Sequence, residues 1–271
     1  MKNERKGKMR IALIGGGAMG EAIVRCLLTK KMAAPQDIVV SDISPVRRQL
    51  LSREYGVDTL ANNGKAVANA DLIILAVKPQ NLPQVMEEIE GLASQQLVLS
   101  IVAGATLSSL RQGLNHSSVV RAMPNMPAQI GEGVTLWTAT VGTSQKQKKL
   151  AQNVLGALGK EIYVVDEKYL GMATALSGSG PAYVLLFIEA LVDAGVHIGL
   201  PRDMAQELVI QTVLGSTRTV EKTGKHPADL RNMVTSPGGT TTEALLQLEK
   251  GRFRSLLLEA VAAAYKKGKR L

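Results

Sequence analysis

Two short strings of small and hydroxyl-bearing residues carry most of the chemistry that this chain's residue types allow. The first is IALIGGGAMGEAIVRCL, where Gly15, Gly17 and Gly20 stand at G-x-G-x-x-G spacing between a strand-like run and a helical pattern. In that context the loop through Gly15, Gly16, Gly17, Ala18, Met19 and Gly20 reads as a dinucleotide cradle. Gly15 permits a tight turn, Gly17 lets backbone approach a pyrophosphate, and Gly20 lets the helix lie close on the strand. The helix N-terminus supplies free amides to the phosphates. The next strand ends at Asp42, 22 residues after Gly20, where a carboxylate would accept hydrogen bonds from an adenosine ribose and repel a 2′-phosphate. Ser44, Arg47 and Arg48 follow at once and could instead hold that phosphate, so these residues leave NAD and NADP both open.

The second string is TSPGGTTTEALLQL, Thr235 to Leu248. Ser236, Pro237, Gly238 and Gly239 form a loop, and Thr240, Thr241 and Thr242 stand where a helix begins, with Glu243 in its first turn. Capping needs one threonine. Free amides joined to several hydroxyls make a compact anion site suited to a carboxylate. Other chemistries find little support: His116, His197 and His226 lie far apart, no pair of residues has metal-ligand spacing, and no G-x-S-x-G elbow occurs. A nicotinamide platform and a carboxylate cradle without a strong acid, base or nucleophile suit hydride transfer to an imine, whose nitrogen is basic enough to take a proton from a hydroxyl or water.

These strings need elements to position them. From Arg10 to about Val165, apolar runs alternate with helical patterns. The runs are IALI, DIVVSD (Asp37 to Asp42), DLIILAV (Asp71 to Val77), LVLSIVA (Leu97 to Ala103), SVVRAM (Ser118 to Met123), GVTLWTAT (Gly133 to Thr140) and EIYVV (Glu161 to Val165). The helical patterns between them include Met19 to Lys31, Pro45 to Tyr55, Leu82 to Leu92 and Ser144 to Leu158. Continuous apolar strands separated by helices predict an α/β fold, a Rossmann-like, doubly wound and mostly parallel sheet covered on both faces. After Asp166 the strand-like runs stop and helical periodicity takes over, at Tyr169 to Leu176, Pro181 to Ile198, Pro201 to Glu221, Thr241 to Leu248 and Phe253 to Lys267. The expected domains are a dinucleotide-binding domain over 1–166, with a basic tail at 1–9, and a helical substrate and dimerisation domain over 167–271.

The stretch VLLFIEALVDAGV is apolar on nearly every side, so it must be covered. In a domain of this size the expected cover is a second copy, giving a homodimer or larger homo-oligomer through the C-terminal helices. The chain has 271 residues, 45% apolar and 20% charged, with Cys26 as its one cysteine, which excludes disorder and a disulfide framework and points to a cytoplasmic setting. The net charge of +9 sits in the ends: Lys2, Arg5, Lys6, Lys8 and Arg10 against Glu4, then Lys266, Lys267, Lys269 and Arg270, leaving the body near neutral. With aromatics at 3%, nucleic acid is not an expected partner. The apolar run from Pro181 to Ile188 is broken by Glu189 and Asp193, short of a bilayer span, and no membrane association is expected.

The motifs resemble those of the pyrroline-5-carboxylate reductase family, from Met9 to about Lys267. The resemblance rests on IGGGAMG, LAVKPQ (Leu75 to Gln80), SIVAGAT (Ser100 to Thr106), RAMPNMPA (Arg121 to Ala128), ALSGSGPAY (Ala175 to Tyr183) and VTSPGGTTTEAL (Val234 to Leu245). It implies reduction of 1-pyrroline-5-carboxylate to L-proline by NADPH or NADH. It further implies dinucleotide contacts at the glycine loop, Asp42, Asn63, Ala76, Val77, Lys78, Pro79, Val102, Ala103 and Gly104, and substrate contacts at Glu167, Thr240 and Thr241. Thr241 would act near the imine nitrogen as proton donor or relay. Three positions depart from the family's habit. Asp42 stands where serine is frequent in NADPH-preferring members, Met233 where some have a substrate-touching asparagine, and Met126 where threonine is frequent. A rival class, the β-hydroxyacid dehydrogenases, needs a lysine on the helix after SGSGP, and no lysine occurs between Lys168 and Lys222. A cofactor sensor without turnover would have no need of the threonine loop.

Overall fold

The structure, a computed structural model, describes residues 9–269 of the chain. Of the basic ends, Lys2, Arg5, Lys6, Lys8 and Arg270 lie outside the described residues.

The apolar runs become an eight-stranded sheet. β1 (Ile11–Ile14), β2 (Ile38–Ser41), β3 (Asp58–Leu60), β4 (Leu72–Leu75), β5 (Leu97–Ser100), β6 (Val119–Met123), β7 (Gly133–Ala139) and β8 (Gly159–Tyr163) lie in the order β3-β2-β1-β4-β5-β6-β7-β8. Pairing is parallel from β3 across to β6. β7 runs antiparallel to β6, and β8 is parallel to β7. All four residues of β1, β4 and β5 are buried, which is why these strands read as unbroken apolar runs rather than alternating ones. Successive residues of β1 face opposite layers. Ile11 and Leu13 join one core with Ile23, Leu27 and Trp137, while Ala12 and Ile14 join the other with Ile73, Leu75 and Val98.

The helices of this half are α1 (Ala18–Thr29), α2 (Pro45–Tyr55), α3 (Asn63–Val67), α4 (Leu82–Glu88), α5 (Leu107–Gly113) and α6 (Gln145–Gly156). α1 buries Ala22, Ile23, Cys26 and Leu27, the spacing of one helical face. α2 has a complete set of end signals: Ser44 accepts from the Arg47 amide, Pro45 takes the first position, and Gly56 closes the helix at φ 66°. The sequence reading does not contain β3, α3 or α5. β3 is three residues without an apolar run, and α3 and α5 are five and seven residues, too short to display a period.

Strand order turns at β1: the chain first builds outward through β2 and β3, then crosses to β4 on the other side. In an open parallel sheet the crevice at the carboxyl ends of the strands flanking such a turn is the ligand-binding position.

Beyond β8 come α7 (Lys168–Ala173), a π turn (Thr174–Gly178), α8 (Gly180–His197), α9 (Arg202–Thr223), α10 (Pro227–Met233), α11 (Thr240–Lys250) and α12 (Phe253–Gly268). The described chain forms two compact units that divide at Gly178, with Tyr265 to Lys269 grouped with the first. This differs from the expected boundary at Asp166. α7 and the π turn bury Leu170, Ala173 and Ala175, and α7 packs on β6 and β7, so the first helical turns after the sheet belong to the sheet's layer. Gly178 lies against the end of β6: a Cβ there would stand 3.3 Å from Met123 Cε.

The second unit, Ser179 to Ala264, is built differently. Among the described residues of α8 to α12, Val192 and Ala205 are the only buried side chains. α8 packs on α9, and Phe187 meets Phe253 at a ring separation of 6.2 Å. Leu186 and Leu258 remain 66% and 73% exposed. By length and composition alone the helical run Lys168–His197 reaches the size of a bilayer span, longer than the unbroken apolar stretch Pro181 to Ile188 within it. Helix continuity through the π turn adds length that a count of unbroken apolar residues misses.

Candidate functional site

The glycine loop leaves β1 at the turn of strand order. Gly15 has φ 103°, its amide donates to the Ser41 carbonyl at 2.8 Å, and a Cβ there would lie 2.7 Å from the Ala76 carbonyl oxygen. A side chain is excluded twice over, by dihedral and by space. At Gly20 a Cβ would fall 2.1 Å from the Gly15 carbonyl oxygen, so the first turn of α1 can lie against the loop only without a side chain. Gly17 is the opposite case. A Cβ there meets nothing within 4 Å, and the residue is the uncapped N-cap of α1, with no side-chain bond to the helix's first amides. Open space beside free amides at the positive end of a 12-residue helix is the arrangement that phosphate groups favour.

The end of β2 closes one side of the loop. Asp42 Oδ2 accepts from the Gly16 amide at 2.7 Å, and Oδ1 accepts from the Ser44 amide at 2.8 Å. The Ser44 hydroxyl caps α2 through the Arg47 amide at 3.4 Å. Arg47 reaches back across the loop, its Nε donating to the Gly16 carbonyl at 2.8 Å and its Nη2 to Glu21 Oε2 at 2.6 Å. Tyr55 donates its hydroxyl to Glu21 Oε1 at 2.9 Å. The hydrogen bond from Arg47 holds the Glu21 carboxyl below the usual carboxylate range, against the opposing effect of burial. Burial, with Glu21 beside it, pushes the Tyr55 phenol up. Arg48 Nη1 donates to the carbonyls of Asp42 and Ile43 at 2.7 and 3.1 Å. Sequence reading placed Arg47 near the ribose but had no signal for Glu21 or Tyr55, which lie 26 and 34 positions from their partners.

The strands across the turn contribute the other wall. The Ala76 amide donates to the Ile14 carbonyl at 2.8 Å, which sets Ala76 and Val77 beside Gly15 and leads to exposed Lys78 and Pro79. After β5, the Val102 amide bonds the Ser100 hydroxyl at 3.2 Å, and the chain turns through Ala103 and Gly104, the latter at φ 79°. Asn63, at the start of α3, is buried and donates its amide to Glu88 Oε2 at 2.7 Å. That bond fixes α3 against α4.

Glu167, just before α7, is held from two sides. Its Oε1 accepts from the Leu107 amide at the start of α5 at 2.7 Å and from Arg121 Nη1 at 2.5 Å. Among the described residues Oε2 has no partner. Arg121, on β6 and mostly buried, was not singled out by the sequence reading, whose motif RAMPNMPA contains it without a role.

In the second unit the threonine loop takes a definite form. Gly238 sits at φ 68°, and a Cβ on Gly239 would lie 2.4 Å from Ser236 Oγ. Gly239 is the N-cap of α11 and supplies no side-chain bond. Of the three threonines, Thr242 donates its hydroxyl to the Ser236 carbonyl at 2.7 Å and ties the loop to the helix. The Thr240 and Thr241 hydroxyls have no partner among the described residues, and their amides head the helix without an intrahelical acceptor. The sequence reading treats the three threonines alike. The structure separates one that holds the loop from two whose hydroxyls have no partner among the described residues.

Comparison with known proteins matches two family models to the chain. Residues 167–271 match the pyrroline-5-carboxylate reductase dimerisation family, and residues 10–104 match the family described as NADP oxidoreductase coenzyme F420-dependent. A pyrroline-5-carboxylate reductase from Synechocystis is 42% identical over 263 residues, covering 97% of this chain and 98% of its own. A solved pyrroline-5-carboxylate reductase from Coxiella burnetii aligns with a TM-score of 0.88 at 37% identity, over 97% of this chain and 98% of that one. The Plasmodium falciparum pyrroline carboxylate reductase, solved with NADP bound, aligns with a TM-score of 0.89 at 31% identity, over 97% and 99% of the two chains. Likeness of this extent, with both halves matched in order, leaves one conclusion: the chain belongs to the pyrroline-5-carboxylate reductase family.

Proposed function

We propose that the protein reduces the C=N bond of 1-pyrroline-5-carboxylate to give L-proline, with NADH or NADPH as reductant. The observation that carries the reading is the start of α11, where two threonine hydroxyls and two helix-initial amides have no partner among the described residues, next to a glycine loop tied down by Thr242. That is a seat for a small carboxylate.

The first unit holds the dinucleotide. Gly17 leaves room for the pyrophosphate, the amides of Ala18 and Met19 donate to it, and Asp42 lies at the ribose end. Ala76 to Pro79 and Val102 to Gly104 line the same crevice. The reduced nicotinamide, when bound, supplies the hydride that adds to the imine carbon. In the second unit Ser236, Gly238, Gly239 and Thr240 hold the substrate carboxylate, and Thr241 Oγ1 donates or relays a proton to the ring nitrogen, with water restoring the hydroxyl. The product amine then carries one new C–H bond and one new N–H bond. Glu167, the further substrate contact that the family resemblance implies, has its Oε1 fixed by Arg121 and the Leu107 amide. Positioning and charge supply the rate, because no strong acid is required at a basic C=N nitrogen.

The same reading makes the protein an assembly of identical chains, joined through the apolar faces of α8 to α12. Support comes from the near absence of buried side chains in those helices and from the dimerisation family that matches them. A cytoplasmic setting accords with a lone cysteine buried as a thiol at Cys26.

The test is direct: purified protein, pyrroline-5-carboxylate and reduced cofactor, followed by loss of the cofactor's near-ultraviolet absorbance. The expected result is substrate-dependent oxidation with proline as product. Cofactor binding with no turnover on this substrate would overturn the reading.

A further inference from the structure

Discrimination between the two nicotinamide cofactors turns on one group, the 2′-phosphate of NADP, which carries about −1.5 to −2 charges at neutral pH and needs cationic donors free to meet it. The end of β2 presents the reverse. Asp42 is fixed by the Gly16 and Ser44 amides at 2.7 and 2.8 Å, and a carboxylate so held retains lone pairs for ribose hydroxyls. The two arginines that could answer a phosphate are both engaged. Arg48 donates to the Asp42 and Ile43 carbonyls. Arg47 has Nε on the Gly16 carbonyl and Nη2 on Glu21, and Glu21 is gripped from its other oxygen by Tyr55. The Arg47 and Glu21 side chains are 29% and 26% exposed, so parting them leaves a partly desolvated carboxylate behind.

Resting on the dinucleotide reading of this crevice, we infer that Glu21 is a positioning residue for cofactor choice. It holds Arg47 in the glycine loop, leaves Asp42 to meet the ribose, and so makes the enzyme select NADH over NADPH. The inference runs against the NADP that appears with the matched Plasmodium relative and in the description of the N-terminal family. It is a property of this chain's own residues at 21, 42, 47 and 55.

The experiment is equilibrium binding of NADH and NADPH to the full-length protein, read by cofactor fluorescence without substrate. The wild type is expected to bind NADH at least tenfold more tightly, the factor that about 1.4 kcal/mol of charge repulsion gives. E21Q releases Arg47 and is expected to tighten NADPH by roughly fivefold while NADH stays within about twofold, since a weakened ion pair is worth only a fraction of a unit of binding constant in logarithms. E21D restores the wild-type ratio, and adding R47L to E21Q removes the gain. D42S read alone is expected to tighten NADPH about tenfold, which keeps the test intact if E21Q folds poorly. Wild-type protein that binds NADPH as tightly as NADH overturns the inference and leaves the dinucleotide site standing. So does an E21Q variant that moves both affinities together, because that is a merely structural effect. Failure of both cofactors to bind overturns the reading beneath it.

Discussion

The sheet unit and the helical unit solve the same problem in opposite ways. In the first, strands such as β1, β4 and β5 have every residue buried, and two apolar cores lie on the two faces of the sheet. In the second, five helices carry many leucines and valines and both phenylalanines yet bury two side chains, Val192 and Ala205. An apolar helix without a core of its own is stable only when something covers it. The sheet unit therefore covers its own apolar surface within one chain, while the apolar faces of the helical unit stay uncovered there. The sites follow the same division. The glycines at 15 and 20 are dictated by contacts inside the sheet unit, with the Ala76 and Gly15 carbonyls, whereas the threonine loop lies among helices whose apolar faces stay uncovered in a single chain.

The strongest way to break this contrast is a charge on the exposed face of α8. Leu186→Glu is expected to weaken self-association by roughly two orders of magnitude, the effect of removing an anchor worth about 2–3 kcal/mol. Light scattering after size-exclusion chromatography reads it, and an unchanged mass would mean that α8 is not the joining face. Next, Gly20→Ala forces a Cβ to 2.1 Å from the Gly15 carbonyl oxygen and should cost the sheet unit about 3 kcal/mol, with loss of dinucleotide binding. A melting curve that does not move would contradict the close approach. Thr241→Val should lower kcat by roughly 100-fold, the size of a lost transition-state donor, with cofactor affinity kept. If cofactor affinity falls instead, Thr241 serves the other unit's ligand.

The smallest effect concerns pH. Glu21 has its carboxyl lowered by Arg47, so its bond favours the folded state when the carboxyl is ionised in both states. That contribution is present above the ordinary glutamate value of 4.5 and is lost as pH falls through the lower folded value. Unfolding by denaturant between pH 6 and pH 3, for wild type and Glu21→Gln, should show a shallower loss in the variant. Parallel curves would remove the pair from the stability of the loop.

Much of the sheet unit was legible in advance because its signals are local. A buried parallel strand announces itself as a short apolar run, and the loop glycines at 15, 17 and 20 follow from a strand meeting a helix within ten residues. β3, α3 and α5 escaped because three to seven residues show no period. Ser44, Asp42 and the threonines stand out in the sequence as residue types, yet their division of labour was not readable. Ser44 caps α2, Asp42 holds the Gly16 amide, and Thr242 ties its loop while Thr240 and Thr241 stay open.

By itself the order of residues determined which segments become strands or helices, where the glycine loop bends and where a helix begins at Gly239. Those outcomes depend on dihedral preference and apolar spacing over a few positions. Only the tertiary structure decided that Arg47 belongs to Glu21 and Tyr55 rather than to an open pocket, and that Glu167 is anchored by Arg121 and the Leu107 amide. The physical reason is separation: these partners lie between 26 and 60 positions apart, and what brings them within 3 Å is the winding of helices against the sheet, which no local pattern encodes.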